Sequence, residues 1–94
     1  MSDDVRTYLA LAVQHLMVER GMSSAELAAA IGARHQDLSR RLSGDIPIEN
    51  RDVPRLAAGL GVPPQELIDR ALDLHQRSSR EGLRARIREI LDSD

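Results

Sequence analysis

Residues 21–44 read GMSSAELAAAIGARHQDLSRRLSG, and this stretch decides the fold. Ser23 and Glu26 have the spacing of a capping box, in which each residue satisfies a free backbone amide at the start of a helix. Gly32 and Gly44 each follow a helical segment, and glycine readily adopts the left-handed conformation that ends helices. The stretch therefore predicts two short helices, at about 24–31 and 35–43, joined by a tight turn.

The residues inside this stretch also indicate how the two helices pack. Short helices joined by a tight turn cross at a steep angle and need a small residue at the crossing point. Ala28 meets that need, Gly32 permits the turn, and Leu38 attaches the second helix to a core. We expect these three residues to have structural roles.

Apolar residues recur at helical spacing on both sides of this stretch. They predict helices at about 4–20, 52–60 and 64–77, and Pro54 is compatible with the second of these ranges because it falls in a first turn. Leu83, Ile87, Ile90 and Leu91 predict a C-terminal amphipathic helix over 83–91. Ser78, Ser79 and Gly82 leave open whether the last two segments are separate helices or one long bent helix.

The expected fold class is all-α. We expect a compact five-helix domain over residues 1–76 and a C-terminal amphipathic helix within 77–94 that is a candidate for dimerisation. Only one aromatic residue, Tyr8, is present among 94 residues, so the core must be built from aliphatic side chains. Such packing suits helices better than sheets.

The composition excludes several kinds of site. Cysteine is absent, which excludes disulfides and thiolate zinc sites. The three histidines are far apart in sequence, and no catalytic triad or glycine-rich phosphate loop is legible, so we expect no metal, no cofactor and no enzymatic activity. No apolar run is long enough to cross a membrane and the first residues are acidic, so we expect no secretory signal and a cytoplasmic protein.

The charges are unevenly distributed. The net charge is −2, which is unfavourable for a nucleic-acid binder because phosphate neutralisation supplies much of the affinity. Residues 34–43, however, hold three arginines against one aspartate, and residues 76–88 hold five arginines against one glutamate. Two local basic segments are thus candidates for contact with DNA.

The second short helix has an outward face suited to reading DNA. At helical period, this face consists of His35, Gln36, Ser39 and Arg40. Arginine pairs with guanine, glutamine pairs with adenine, and serine bonds to several base edges in the major groove. We therefore predict that these four side chains contact bases.

The ordered set of motifs resembles the phage repressor/Cro, or Xre-like, helix-turn-helix family. The resemblance rests on the stretch quoted above, on Ile46-Pro47, and on residues 56–63, LAAGLGVP, and it spans about residues 5–70. It implies a repressor-like, five-helix DNA-binding domain that regulates transcription as a homodimer on a palindromic operator in double-stranded DNA. By matched position, Ser24 and Ser43 would touch phosphates.

Three residues depart from the family pattern. Arg41 occupies a position that is usually apolar, although its stem is able to lie along the core edge with the guanidinium at a phosphate. Arg34 replaces the usual serine or threonine cap. We predict phosphate contacts for Arg34 and Arg41. Asp37 places a negative charge near the groove, where it either favours the helix N-terminus or accepts from a cytosine amine.

Two other functions and two assemblies stay open. The first alternative is an antitoxin-type autorepressor, which would bind DNA and cap a toxin with its C-terminal helix. The second is a helical protein-interaction module that does not bind DNA, and the net charge of −2 favours this alternative. The C-terminal stripe, with Leu72 and Leu74, is predicted to form a symmetric homodimer interface. The alternative is that the stripe packs back onto its own domain.

Overall fold

The computed structural model describes residues 5–92, which form five α-helices and one short 3₁₀ helix. In chain order these are α1 (Val5–Glu19), α2 (Ser24–Ile31), α3 (His35–Ser43), the 3₁₀ helix (Asn50–Asp52), α4 (Val53–Leu60) and α5 (Pro64–Asp92). Residues 5–92 contain no strand. The all-α fold predicted from the sequence is confirmed.

Helix α2 begins and ends through the predicted local interactions. The amide of Glu26 donates to the Ser23 hydroxyl at 3.1 Å, and the Ser23 amide donates to the Glu26 carboxylate at 3.0 Å. At the other end Gly32 has a φ of +67°, and the Ala33 amide donates to the Ala28 carbonyl at 2.9 Å. These bonds satisfy backbone groups that the helix itself leaves free.

The start of α4 differs slightly from the expected range of 52–60. Residues 50–52 wind as a 3₁₀ helix, and the Glu49 amide donates to the Asp52 carboxylate at 3.0 Å. The α-helix therefore begins at Val53, with Pro54 in its first turn, where a missing amide costs no internal hydrogen bond.

The core is aliphatic and lies where the five helices meet. Helix α1 packs along the first half of α5, and α2 packs against both α3 and α4. The largest fully buried side chains come from every helix and from the loop before the 3₁₀ helix: Val13, Leu16, Leu27, Leu38, Ile48, Leu60 and Leu67. Tyr8 is also buried, and its ring meets that of His75 edge-on with centroids 5.1 Å apart.

Helix α5 is one continuous element, which answers the question that Ser78, Ser79 and Gly82 left open. Serine and glycine each weaken a helix by only about 1 kcal/mol or less, and the segment contains no proline after Pro64. The 29 residues of α5 give a length of about 44 Å at the α-helical rise, whereas the molecule is 24 Å across its two shorter axes. The predicted boundary between 1–76 and 77–94 falls inside this helix and stays a prediction.

The base of α5 is fixed to α1. The guanidinium of Arg70 forms a salt bridge and two hydrogen bonds with the carboxylate of Glu19. This hydrogen bonding lowers the pKa of Glu19 and raises that of Arg70. Within residues 5–92, no helix combines the length and the apolar character that crossing a membrane requires.

Candidate nucleic-acid interface

Helix α3 has one buried face and one exposed face. Leu38 is 1% exposed and Leu42 packs against the core, and these residues are four apart on the inner side of the helix. All four residues predicted to contact bases are exposed on the outer side, and they are called the exposed row: His35, Gln36, Ser39 and Arg40. Ser43 is exposed on the same side and donates to the Arg40 carbonyl at 3.0 Å.

The residues predicted to have structural roles occupy buried or turning positions. Ala28 is 3% exposed, Leu38 lies in the core, and Gly32 has the left-handed conformation that the turn requires. Because residues with a Cβ rarely adopt a φ near +67°, glycine makes this turn with the least strain.

Ser24 and His35 join the starts of α2 and α3. The Ser24 Oγ lies 2.8 Å from the His35 Nε2, which is hydrogen-bonding distance. The two residues were predicted for different tasks, phosphate contact and base contact. The fold places them side by side at the amino end of α3.

The start of α2 also carries a stabilised carboxylate. Hydrogen bonds from the Ser23 backbone amide, and then from its hydroxyl, lower the pKa of Glu26. The carboxylate is thus held ionised at the positive end of the α2 dipole. It places a negative charge two residues from Ser24, for which a phosphate contact is predicted.

Arg34 and Arg41 lie in different surroundings. Arg34 is the exposed N-cap residue of α3 and makes no side-chain capping bond, as its identity predicted. The side chain of Arg41 is 32% exposed and turns inward. Its Nε lies 3.9 Å from a carboxylate oxygen of Asp52, and its Nη1 donates to the Asp37 carbonyl at 3.4 Å. The phosphate contact predicted for Arg41 would therefore compete with these internal partners.

Asp37 belongs to the inner half of α3 rather than to its exposed row. Asp37 is half-buried and lines a cleft of about 320 Å³ between α3 and α4, together with Arg34, Arg41, Asp52 and Arg55. Two carboxylates in this cleft balance much of its arginine charge. The exposed row of α3 is therefore free of acidic side chains.

A helix-turn-helix domain model matches residues 9–71 of the chain. The match covers about two thirds of the sequence and includes α2, the turn and α3. The chain belongs to the helix-turn-helix domain family. The comparisons with curated proteins and with solved structures gave no match. Membership supports the DNA-binding class and suggests a regulator, and this family is typically non-enzymatic.

Two residues that the sequence did not reveal hold the helix-turn-helix in place. Gln14 on α1 donates from its Nε2 to the Leu42 carbonyl at 2.8 Å, near the end of α3. Arg55 on α4 donates from its Nε to the Ile31 carbonyl at 2.9 Å, at the end of α2. Both contacts join residues far apart in sequence, so no local pattern announces them.

Gly59 on α4 permits the close approach of α2 to α4. A Cβ atom at this position would lie 2.6 Å from the Ile31 Cγ2 and 2.9 Å from the Leu27 Cδ1. Such distances are far shorter than a normal carbon–carbon contact. A side chain at this position would therefore require Ile31 and Leu27, and with them α2, to shift away from α4.

None of the described residues forms a cluster of metal-binding side chains. His35 on α3 is engaged with Ser24, and His75 on α5 lies against Tyr8 on α1.

Proposed function

We propose that this helix-turn-helix protein is a sequence-specific, repressor-like transcriptional regulator of the Cro/Xre type that reads a DNA operator through α3. The observation that carries the proposal is the exposed row of His35, Gln36, Ser39 and Arg40 on a helix whose other face is held in the core. A nine-residue helix with such a row has the size and chemistry to enter the major groove.

Each side chain of the row has a distinct task in this proposal. Gln36 lies in the first turn of α3, the end that leads into the groove, and Arg40 lies one turn later on the same face. Gln36 suits adenine and Arg40 suits guanine, since each forms paired hydrogen bonds with that base. His35 and Ser39 would each add a single hydrogen bond to a base edge.

Phosphate contacts would fix the orientation of the domain on DNA. Ser24 at the start of α2, Arg34 before α3 and Ser43 at its end surround the exposed row. Contacts of this kind position a protein without reading sequence. Arg41 would contribute only if it exchanged its contacts with Asp52 and Asp37 for a phosphate.

The test begins with in-vitro selection of bound DNA, followed by affinities for the selected operator and for random DNA at two salt concentrations. Gln36→Ala and Arg40→Ala should each reduce the operator-to-random ratio by roughly 1–3 kcal/mol of discrimination. Arg34→Ala should weaken both DNAs alike and lower the salt slope by about one unit. An unchanged ratio in Gln36→Ala and Arg40→Ala would refute this reading face.

The same experiment separates the proposal from an interaction module that does not bind DNA. The net charge of −2 is the feature that favours such a module. Binding of random DNA that weakens steeply with added salt supports the regulator, because counterion release is the signature of phosphate contact. Absence of binding at every salt concentration would support the interaction module.

We further propose that the protein binds a palindromic operator as a homodimer through α5. Leu72, Ile87 and Leu91 are exposed on α5, at 41%, 47% and 74% of their surfaces. Leu72 and Ile87 share a helical stripe with Leu83 and Ile90, whose side chains lie outside those that the structure describes. Leu74, which was predicted to join this interface, packs against the core of its own domain.

A dimer of this kind would place two α3 helices about 34 Å apart on one side of the DNA. Sedimentation should show a dimer, and Leu72→Glu combined with Ile87→Glu should shift it to a monomer without loss of helix content. A monomer at high micromolar concentration, both free and on DNA, would contradict the assembly.

A further inference from the structure

The turn that precedes α3 contributes to its orientation, together with the packing of α3 on α1, on α2 and on the core. The cleft of about 320 Å³ separates much of α3 from α4, so α4 does not support α3 directly along its length. Helix α4 instead packs on α2, and α2 carries α3 through residues 32–34. A displacement of the carboxyl end of α2 would therefore shift the amino end of α3, whereas the other end of α3 is held by Gln14 on α1.

Arg55 acts at this end of α2. Its Nε donates to the Ile31 carbonyl at 2.9 Å, and its Nη2 reaches the Gly32 carbonyl at 3.4 Å. The last carbonyls of a helix have no partner within the helix, and they form the negative end of its dipole. A guanidinium at this place both satisfies two carbonyls and brings a positive charge to them.

The amides of the same turn are bonded as well. Gly32 donates to the Ala29 carbonyl at 3.3 Å and Ala33 donates to the Ala28 carbonyl at 2.9 Å. These bonds lie within α2 and its cap, whereas the bonds of Arg55 come from another helix. Arg55 is thus the link by which α4 fixes the turn between α2 and α3.

Arg55 and Gly59 together form the surface of α4 on which α2 packs. They are four residues apart, so they lie on one face of α4. Gly59 lets α2 approach closely at Leu27 and Ile31, and Arg55 holds the end of the same helix. These two residues therefore fix both the distance between α2 and α4 and the position of the carboxyl end of α2.

We propose that Arg55 is a positioning residue for DNA reading, which sets the angle at which α3 presents its exposed row and is not itself a phosphate contact. The proposal rests on the DNA-binding function proposed above. Both Arg55 and Arg34 are exposed, but the Arg55 guanidinium is bonded to the end of α2, whereas Arg34 makes no side-chain capping bond and loss of a phosphate contact is expected there.

The experiment compares Arg55→Met, Arg55→Lys and the matched control Arg51→Met. Arg51 is an exposed arginine one helical turn earlier, paired with Glu49 at 3.2 Å, so its replacement removes the same charge from the same region. Affinities for the selected operator and for random DNA are measured over a range of salt, and circular dichroism establishes that each variant is folded.

We expect Arg55→Met to lower the operator-to-random ratio about tenfold, as loss of one aligned base contact would do, with an unchanged salt slope. Arg55→Lys should restore part of the ratio, because an ammonium still reaches a carbonyl. Arg51→Met should leave the ratio unchanged. A salt slope lowered by about one unit with an unchanged ratio would make Arg55 a phosphate contact and overturn the proposal.

Amide hydrogen exchange gives a readout that does not involve DNA. Exchange at Gly32 and Ala33 should be faster in Arg55→Met and unchanged in Arg51→Met, because only the first variant frees the turn. If the wild-type protein bound no DNA, the proposed function would fail, and exchange would still decide whether Arg55 fixes the turn. Unchanged exchange at both amides would overturn the positioning role.

Discussion

The Oγ of Ser24 and the Nε2 of His35 lie 2.8 Å apart and join the first residue of α2 to the first residue of α3. Both helix starts face the same region, since their side chains are within hydrogen-bonding reach. If Ser24 binds a phosphate and His35 contacts a base, the two contacts are therefore made by side chains that are hydrogen-bonded to each other.

This pair predicts coupled effects of substitution. Ser24→Ala, His35→Ala and the double variant should each weaken binding of the selected operator, and the double variant should lose less than the sum of the single losses. Neighbouring residues in one hydrogen-bonded network typically couple by about 0.5–3 kcal/mol. The measurement is a double-mutant cycle of operator dissociation constants at one salt concentration.

Ser43 is the matched control for this cycle. It is an exposed serine on the same side of α3, but its hydroxyl donates to the Arg40 carbonyl rather than to His35. The effects of Ser43→Ala and His35→Ala should therefore add. Additive effects of Ser24→Ala and His35→Ala would show that their hydrogen bond has no role in binding.

The close contact at Gly59 predicts that Gly59→Ala destabilises the fold. Alanine is favoured over glycine in a helix by about 1 kcal/mol, but overpacking costs typically about 1–3 kcal/mol. The Ile31 Cγ2 is attached directly to a stiff Cβ branch, so it yields less readily than the tip of Leu27. We expect a net loss in the free energy of unfolding, measured in urea.

A second substitution identifies the cause of that loss. Ile31→Leu moves the methyl branch away from Gly59, so Gly59→Ala should cost less in the Ile31→Leu background than in the wild-type protein. The same cost in both backgrounds would mean that the contact with Ile31 is not responsible. Ala58→Gly, at the exposed neighbouring position, measures the helix-propensity term alone.

The capping box predicts a loss of stability in acid. The pKa of Glu26 is lowered in the folded state by the Ser23 amide and hydroxyl. The ionised form therefore stabilises the fold at pH values above its unfolded pKa of about 4.3, and this contribution is lost as the pH falls through the folded pKa. Urea denaturation across this pH range should show the decline.

Glu26→Gln separates this effect from other acidic groups. The amide oxygen still accepts a hydrogen bond from Ser23 but does not titrate, so the stability difference between wild type and variant should shrink as the pH falls. Glu19 titrates in the same direction, because its hydrogen bond with Arg70 lowers its pKa, and it remains in both proteins. A constant difference at all pH values would exclude a contribution from Glu26.

Substitutions at the adjacent residues Leu38 and Ser39 of α3 should differ strongly in their effect on stability. Leu38 is 1% exposed, so Leu38→Ala leaves a cavity and should cost about 2–5 kcal/mol of stability. Ser39 is exposed, so Ser39→Ala should change stability by about 0.5 kcal/mol or less. Thermal unfolding measures both. Equal losses would mean that α3 is not held by its Leu38 face.

Much of the fold was predictable because its signals are local. The capping box at Ser23 and Glu26 and the left-handed turn at Gly32 depend on residues within a few positions of each other, and both appear where expected. The exposed row of α3 was predictable for the same reason, since helical period alone separates Leu38 from Ser39 and Arg40.

The continuity of α5 was not predictable in this way. Ser78, Ser79 and Gly82 are weak helix formers, but their cost is small enough for neighbouring turns to outweigh it. The inward turn of Arg41 was likewise hidden, because its partner Asp52 lies in the 3₁₀ helix, outside the local pattern of α3.

The sequence by itself determined where α2 and α3 begin and end and which side of α3 is polar, because capping and helical period act within one or two turns. Only the tertiary structure decided how α3 is held: Gln14 at the end of α3, Arg55 at the end of α2, and the hydrogen bond of Ser24 with His35. Two of these contacts join residues more than 20 positions apart, and the third spans the turn between two helices. Such pairs meet only after the hydrophobic core has fixed the helices against one another.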